Sequence, residues 1–467
     1  MAQDLVKSRI NKYDQQMKQK LVELGNSKKS YNNILQYLND EIQKSTKMST
    51  FNYSILCFKN DGVYQLNKAI EEVYGVSQGK GAEQPSGGEG KLETVDVILA
   101  DGTRLKVPYG TIALPEAGDG ACIKIQYHNE KHLLLISGQC QFRFASMIDE
   151  IVEKTKELLS SNSVYKNQAI ELTADCQPKI MDVTAIDKEF MVLSDRTEYE
   201  LQPLRARLLN SAMCISKGIS LKYGCLMEGP YGTGKTLLAF KLAKDAVDHN
   251  WIFMYLKNPE LLAETLRLAK VIDKNGNGVV IFVEDIDQVT RGNRNTAMQD
   301  ILNTLDGGDS KQMNVISLFT TNHIELIEPT FLRGKRIGSI ISLGFLDKKT
   351  AQKFIEFAFQ KDGYTINPQG MEKVYDLIEQ SDIAPAFMAE ITESVKSHMI
   401  LSESNEVQSD YIMNSVQAYL RQVDLSRKKD MSETNDMKLV ASLKAAVIEE
   451  FRDEMRGLLK DIKTLVE

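Results

Sequence analysis

The sequence predicts an α/β fold: a parallel sheet with helices on both faces, followed by a small all-α domain and preceded by a helical segment and a small β-domain. Three observations carry this. Strand-like and helix-like runs alternate from about 203 to 346, the pattern of a parallel sheet with crossover helices. From 348 to 423 the pattern is helical throughout. From 92 to 143 the apolar period falls to two, as in half-buried strands.

Taken in order, Val6, Ile10, Tyr13, Met17, Leu21 and Leu24 form one stripe of a helix. Gly25-Asn26-Ser27 breaks it, and a second helix runs to about Lys47. This N-terminal helical region, 1–76, reads equally as a coiled-coil arm or as an α-hairpin packed on its own domain; it ends in a short strand and a helix over 51–76. Residues 77–91 hold Gly79, Gly81, Pro85, Gly87, Gly88 and Gly90, too little apolar surface for a core, and read as a flexible linker. Residues 92–200 read as a small β-rich N-domain with one helix, Met147–Ser161, and a further β-rich stretch over 165–200. Its first hairpin turns at Asp101-Gly102 and its second at His128–Lys131. The α/β part spans 201–346 and the helical part 347–424. After the polar Ser426–Asn435 comes an amphipathic C-terminal helix over 436–467, with Val440, Leu443, Val447, Phe451, Met455, Leu458, Ile462 and Leu465 on its stripe.

Of 467 residues, 42% are hydrophobic and 26% charged, an ordinary globular mix. Lys plus Arg number 57 against 64 Asp plus Glu, a net charge of −7, which disfavours a nucleic-acid coat. The basic clusters, Arg427-Lys428-Lys429 and Lys18 with Lys20, lack interleaved aromatics that could stack on bases. No apolar run approaches the ~20 residues of a membrane helix. The N-terminus lacks a secretory pattern, and the six Cys are scattered without CxxC spacing, so a cytoplasmic chain with reduced thiols is expected. The five dispersed His suggest no zinc site.

The sharpest signal is Gly229-Pro230-Tyr231-Gly232-Thr233-Gly234-Lys235-Thr236, which fits G-x-x-x-x-G-K-[ST]. Apolar Tyr223–Met227 precedes it as a strand, and Leu237–Val247 follows as a helix. Glycines let successive N–H groups wrap a phosphate, and the helix N-terminus adds partial positive charge. Lys235 can reach β- and γ-phosphates, and the Thr236 hydroxyl can ligate Mg²⁺, so ATP and Mg²⁺ are the expected ligands. A second strand, Val279–Val283, delivers Glu284 and Asp285 to the same edge. NTPases usually place Asp before Glu; here the order is reversed. Glu284 is expected beside the metal and Asp285 as the group that polarises the attacking water. Asp is one methylene shorter, and a carboxylate set back by about 1.5 Å can slow hydrolysis.

These motifs resemble those of the AAA-family ATPases of the AAA+ superfamily, over about residues 200–423. The family's common GPPGTGKT has Tyr231 in place of its second Pro, and its DEID block reads Glu284-Asp285-Ile286-Asp287. Val315–Thr321 ends in Thr320-Thr321-Asn322, the family's sensor-1 pattern, and Arg333 and Arg336 keep the spacing of its paired arginines after Glu328-Pro329. The resemblance implies a P-loop AAA+ module with a helical lid. It implies that Asn322 orients the lytic water, and that Arg333 and Arg336 reach into a neighbouring subunit's site, hence a homo-oligomeric ring, most simply a hexamer. Ala384-Pro385-Ala386 opens a lid helix where the family packs small residues near the adenine.

One departure bears on function. Pro259-Glu260-Leu261-Leu262 is followed by Ala263-Glu264-Thr265-Leu266-Arg267-Leu268-Ala269, a plain helical run without the aromatic–apolar–Gly loop of ring translocases. The leading expectation is an ATP-driven ring that remodels a protein substrate or disassembles it, recruiting it or an adaptor through the N-terminal region. A nucleotide-gated assembly or switch comes second, and a nucleic-acid motor third.

Overall fold

A computed structural model of the chain describes residues 15–23, 31–75, 93–174, 176–188, 190–273, 278–290, 314–333 and 336–423. The expected linker at 77–91, the run Arg427-Lys428-Lys429 and the C-terminal helix at 436–467 lie outside these residues. So do Val6, Ile10, Tyr13 and Leu24 of the N-terminal stripe. The chain divides into two compact units. One comprises Met1–Met191, Asp195–Pro230 and Gly234–Leu343; the other comprises Val192–Ser194, Tyr231–Thr233 and Gly344–Glu467.

In the first unit, a helix at 15–23 and α1 (Tyr31–Thr46) leave apolar side chains such as Val22, Leu35 and Ile42 exposed. Strand β1 (Met48–Leu56) and α2 (Lys59–Tyr74) follow. A hairpin of β2 (Glu93–Ile98) and β3 (Arg104–Tyr109) turns where Asp101-Gly102 predicts. Gly102 takes φ +81°, and the Asp101 carboxylate accepts from Thr103 N–H at 2.9 Å. Next come β4 (Thr111–Ala113), β5 (Cys122–His128), β6 (Leu133–Gln141) and α3 (Ala145–Ser161).

The antiparallel sheet runs β1–β6–β5–β4. Strand β1, grouped by its sequence position with the N-terminal helices, is therefore an integral part of the β-domain. Alternation explains the sheet: Ile123, Ile125, Leu134 and Ile136 are buried on one face, where Leu66 and Ile70 of α2 and Ile148 and Ile151 of α3 join the same core. The Asp61 carboxylate is buried at this helix pair. It accepts from Ser163 Oγ at 2.5 Å, Val164 N–H at 3.1 Å and Gln65 Nε2 at 3.1 Å, and burial pushes its pKa up to about 6.

The stretch from 165 to 200 divides. Strands β7 (Ala169–Leu172) and β8 (Pro178–Ile180) form, but α4 (Asp195–Leu209) begins where more strand was expected, with Asp195 and Glu198 favourably placed in its first turn. Moreover, β7 and β8 extend the large sheet. That sheet contains β9 (Tyr223–Glu228), β10 (Ile252–Leu256), β11 (Val279–Val283), β12 (Val315–Thr321) and β13 (Ser339–Ser342) in the order β13–β9–β12–β11–β10–β7–β8. Every neighbouring pair is parallel except β7–β8. Strands β10, β11 and β12 are buried at every residue, as the apolar runs of β10 and β11 require of strands covered on both faces; β12 also buries Ser317, Thr320 and Thr321. Helix α5 (Lys235–Asp248) follows β9, and α6 (Leu262–Ile272) follows β10.

The second unit is helical, with α7 (Lys348–Gln360), α8 (Met371–Gln380), α9 (Pro385–Leu401) and α10 at 409–423. It also contains a short parallel pair, Thr365–Ile366 with Glu406–Val407, which helical periodicity did not reveal. Asp347 caps α7 by accepting from Thr350 N–H at 2.7 Å. Pro385 occupies the first turn of α9, where its missing N–H costs nothing.

Candidate nucleotide-binding site

Strand β9 lies between β12 and β13, so the order of the sheet reverses at β9. Crevices form at the carboxyl ends of strands at such a reversal. The glycine-rich loop leaves β9 at that point. Gly229, Gly232 and Gly234 all take positive φ (148°, 77° and 93°), conformations that side chains resist. Gly234 precedes α5 with no side-chain cap, so the helix N-terminus keeps its donors for a ligand. Lys235 is buried and donates to the carbonyls of Gly229 and Pro230 at 2.7 and 2.8 Å. Burial lowers its pKa, opposed by the negative charges of Asp285, Glu228 and Asp287. Tyr231 is exposed, Thr233 is buried and Leu237 is half-buried.

Within the second unit, which includes Tyr231–Thr233, Gly232 accepts from Ala386 N–H at 3.1 Å. A Cβ on Gly232 would stand 3.3 Å from Ala386 Cβ and 3.6 Å from Ala384 Cβ. The small residues of Ala384-Pro385-Ala386 thus pack on the middle of the loop, a contact that the sequence reading did not specify.

The two consecutive carboxylates have different partners. Thr236 Oγ1 donates to Glu284 Oε1 at 2.6 Å, and the Tyr255 hydroxyl donates to Glu284 Oε2. Asn322 Nδ2 donates to Asp285 Oδ1 at 3.1 Å. Asp285 has φ +47°, sparsely populated for any residue with a Cβ and best tolerated by Asn and Asp. Its N–H is received by Thr320 Oγ1 at 3.1 Å, and Ile286 N–H by the Thr320 carbonyl at 3.0 Å. Burial raises the pKa of Asp285, helped by the charges of Asp287 and Glu284. Thr321 Oγ1 donates to the buried Asp287 at 3.0 Å. Adjacent parallel strands β11 and β12 end side by side, which is why these groups meet.

Arg333 is exposed. Arg336 is half-buried and donates to the Thr330 carbonyl of its own segment. The arginine segment abuts β9: a Cβ on Gly224 would come within 1.8 Å of the Arg336 carbonyl oxygen.

The chemistry of the donor set suits Mg²⁺. A hydroxyl and a carboxylate, both hard oxygen donors, meet beside the loop, and Mg²⁺ at phosphates needs only one or two protein ligands. Among the described residues no group of three His, Cys, Asp or Glu is placed to hold a metal without such help. Sequence reasoning missed Tyr255, Thr320 and Thr321 as parts of the site. Thr320 and Thr321 stood in a recognised motif, but their bonds to Asp285 and Asp287 depend on strand register. Tyr255 carried no motif at all.

The model of the ATPase family associated with various cellular activities (AAA) matches residues 225–345. A Corynebacterium kroppenstedtii protein named as an AAA ATPase forming ring-shaped complexes is 26% identical over 269 residues, 52% of this chain and 46% of its own length. A 26S proteasome regulatory subunit 4 homolog of Encephalitozoon cuniculi is 27% identical over 193 residues, 38% of this chain and 43% of its own. A Bifidobacterium longum subsp. infantis protein, again named as an AAA ATPase forming ring-shaped complexes, is 23% identical over 388 residues, 74% of this chain and 72% of its own. The chain therefore spans less than half the length of the first two relatives.

Proposed function

We propose, from the match of residues 225–345 to the AAA ATPase family model, that the chain is a ring-forming ATPase, a homo-hexamer, that remodels or disassembles a protein substrate recruited by its N-terminal region. The observation that carries the reading is the division of partners between Glu284, bonded to Thr236, and Asp285, bonded to Asn322. In this reading Lys235 exchanges its two carbonyl partners for the β- and γ-phosphates of ATP. Thr236 and Glu284 are the residues that would hold Mg²⁺, which when bound neutralises phosphate charge. Asn322 and Asp285 position a water in line with the γ-phosphorus. As the water oxygen bonds to phosphorus and the bridge to the β-phosphate breaks, Asp285 accepts the water's proton, and ADP and phosphate are released. The raised basicity of Asp285 suits a proton acceptor.

Relatives named as ring-forming, and an exposed Arg333, support a finger that acts in a neighbour's site. Arg336, tied to Thr330, fits a role in holding that segment in place. No described helix is long and apolar enough to cross a membrane. A cytoplasmic location is part of the proposal, supported by cysteines that are all free thiols.

One observation favours a second reading, a nucleotide-gated switch without threading. Helix α6 continues from Pro259-Glu260-Leu261 with Leu262, Thr265, Leu266, Leu268, Ala269 and Ile272 buried. Its residues serve packing, with no aromatic–Gly loop to grip a polypeptide. ATP turnover measured alone, with an unfolded protein and with DNA separates the readings. Stimulation by unfolded protein is the expected result. Turnover indifferent to both supports the switch, stimulation by DNA the motor, and absence of turnover contradicts all three.

A further inference from the structure

We propose that Tyr255 is a positioning residue that adapts this site to a glutamate where the usual order has an aspartate. The inference rests on the reading of Glu284 as the carboxylate beside Mg²⁺.

Tyr255 stands opposite Phe282 in the β10–β11 register, so Tyr255, Phe282 and Glu284 share one face of the sheet. Its ring is buried, stacked on Phe282 with centroids 5.2 Å apart and edge-on to Phe240 of α5 at 5.5 Å. That clamp leaves the hydroxyl little freedom, and the hydroxyl donates to Glu284 Oε2. Glu284 Oε1 is left for Thr236. A glutamate has one more rotatable bond than an aspartate and would otherwise swing through several rotamers. Tyr255 removes that freedom by binding the far oxygen, so that the near oxygen stays at the loop. An aspartate at 284 would be one methylene too short to keep both bonds.

The test uses the full chain and a fluorescent ATP analogue, titrated in EDTA and at increasing Mg²⁺. Tyr255→Phe keeps the ring and its stacking, so a thermal melt should match the wild type. Analogue affinity in EDTA should stay within about twofold, while the Mg²⁺ concentration that half-saturates the metal-dependent gain in affinity should rise about tenfold, the scale of losing a group that orients a metal ligand. Glu284→Asp should produce a similar rise, and the double variant Tyr255→Phe/Glu284→Asp no more than Glu284→Asp alone, since the partner is already out of reach. An unchanged Mg²⁺ requirement in Tyr255→Phe, or fully additive effects, would overturn the proposal. A wild-type chain with no Mg²⁺-dependent gain would instead overturn the site reading itself, and the proposal with it.

Discussion

Glu284 and Asp285 are neighbours in the chain, yet they face different chemistry because Asp285 sits in the left-handed region and so turns its side chain toward β12. A backbone conformation of this kind costs of order 1 kcal/mol or more and persists where its surroundings enforce it. Here Thr320 does so twice, receiving the N–H groups of both Asp285 and Ile286. The roles should therefore separate by mutation. Asp285→Asn should retain ATP and Mg²⁺ binding while turnover falls by about 10²–10⁴, because an amide does not accept the water's proton. Glu284→Gln should chiefly raise the Mg²⁺ requirement. Steady-state turnover and nucleotide titration across Mg²⁺ concentrations check both; the reverse pattern would make Glu284 the base. At this scale the pairs Thr236–Glu284 and Asn322–Asp285 join residues that short motifs had singled out in the sequence. The sequence concealed Tyr255 and the Thr320 bonds, because those depend on which strands are neighbours.

At the scale of elements, β9 constrains both the loop that follows it and the arginine segment beside it. Gly224 is required because the Arg336 carbonyl occupies the space of a side chain. Gly224→Ala should displace the segment bearing Arg333, cutting turnover at least tenfold while ATP affinity changes less, as measured by parallel kinetics and titration. In the β-domain, α2 is tied to the segment after α3 through Asp61. A carboxyl whose pKa rises from 3.8 unfolded to about 6 folded leaves stability intact below the lower value, and that contribution is lost as pH rises to about 6. The shift corresponds to about 3 kcal/mol at most. Melting temperatures of wild type and Asp61→Asn, compared from pH 4 to pH 7, should show the wild type losing ground to the variant up to about pH 6 and running parallel to it above. Period-two alternation made β5 and β6 and both turns legible. It did not disclose that β1 completes their sheet, nor that β7 and β8 belong to the other one, because pairing across some 80 residues leaves no local trace.

At the scale of the whole molecule, the parallel sheet and the helical unit were legible from alternation and from one loop motif. The short strands of the second unit were not, since two-residue strands have no period. Arg333 is exposed, and its proposed partner is a γ-phosphate bound in a neighbouring subunit. If that arginine completes a neighbour's site, Arg333→Ala should bind ATP almost normally yet lose turnover by a factor on the order of 10³. Lys235→Ala should be inactive for the opposite reason, because it lacks the charge that meets the phosphates. The most direct test mixes these two inactive variants and measures ATP turnover as a function of total protein concentration. Some interfaces then pair an intact loop with an intact arginine. The predicted result is a partial return of activity that exceeds the sum of the separate variants and rises steeply with concentration. Mixtures no more active than their components, together with a wild-type specific activity that stays constant down to concentrations where the protein is monomeric, would contradict the account.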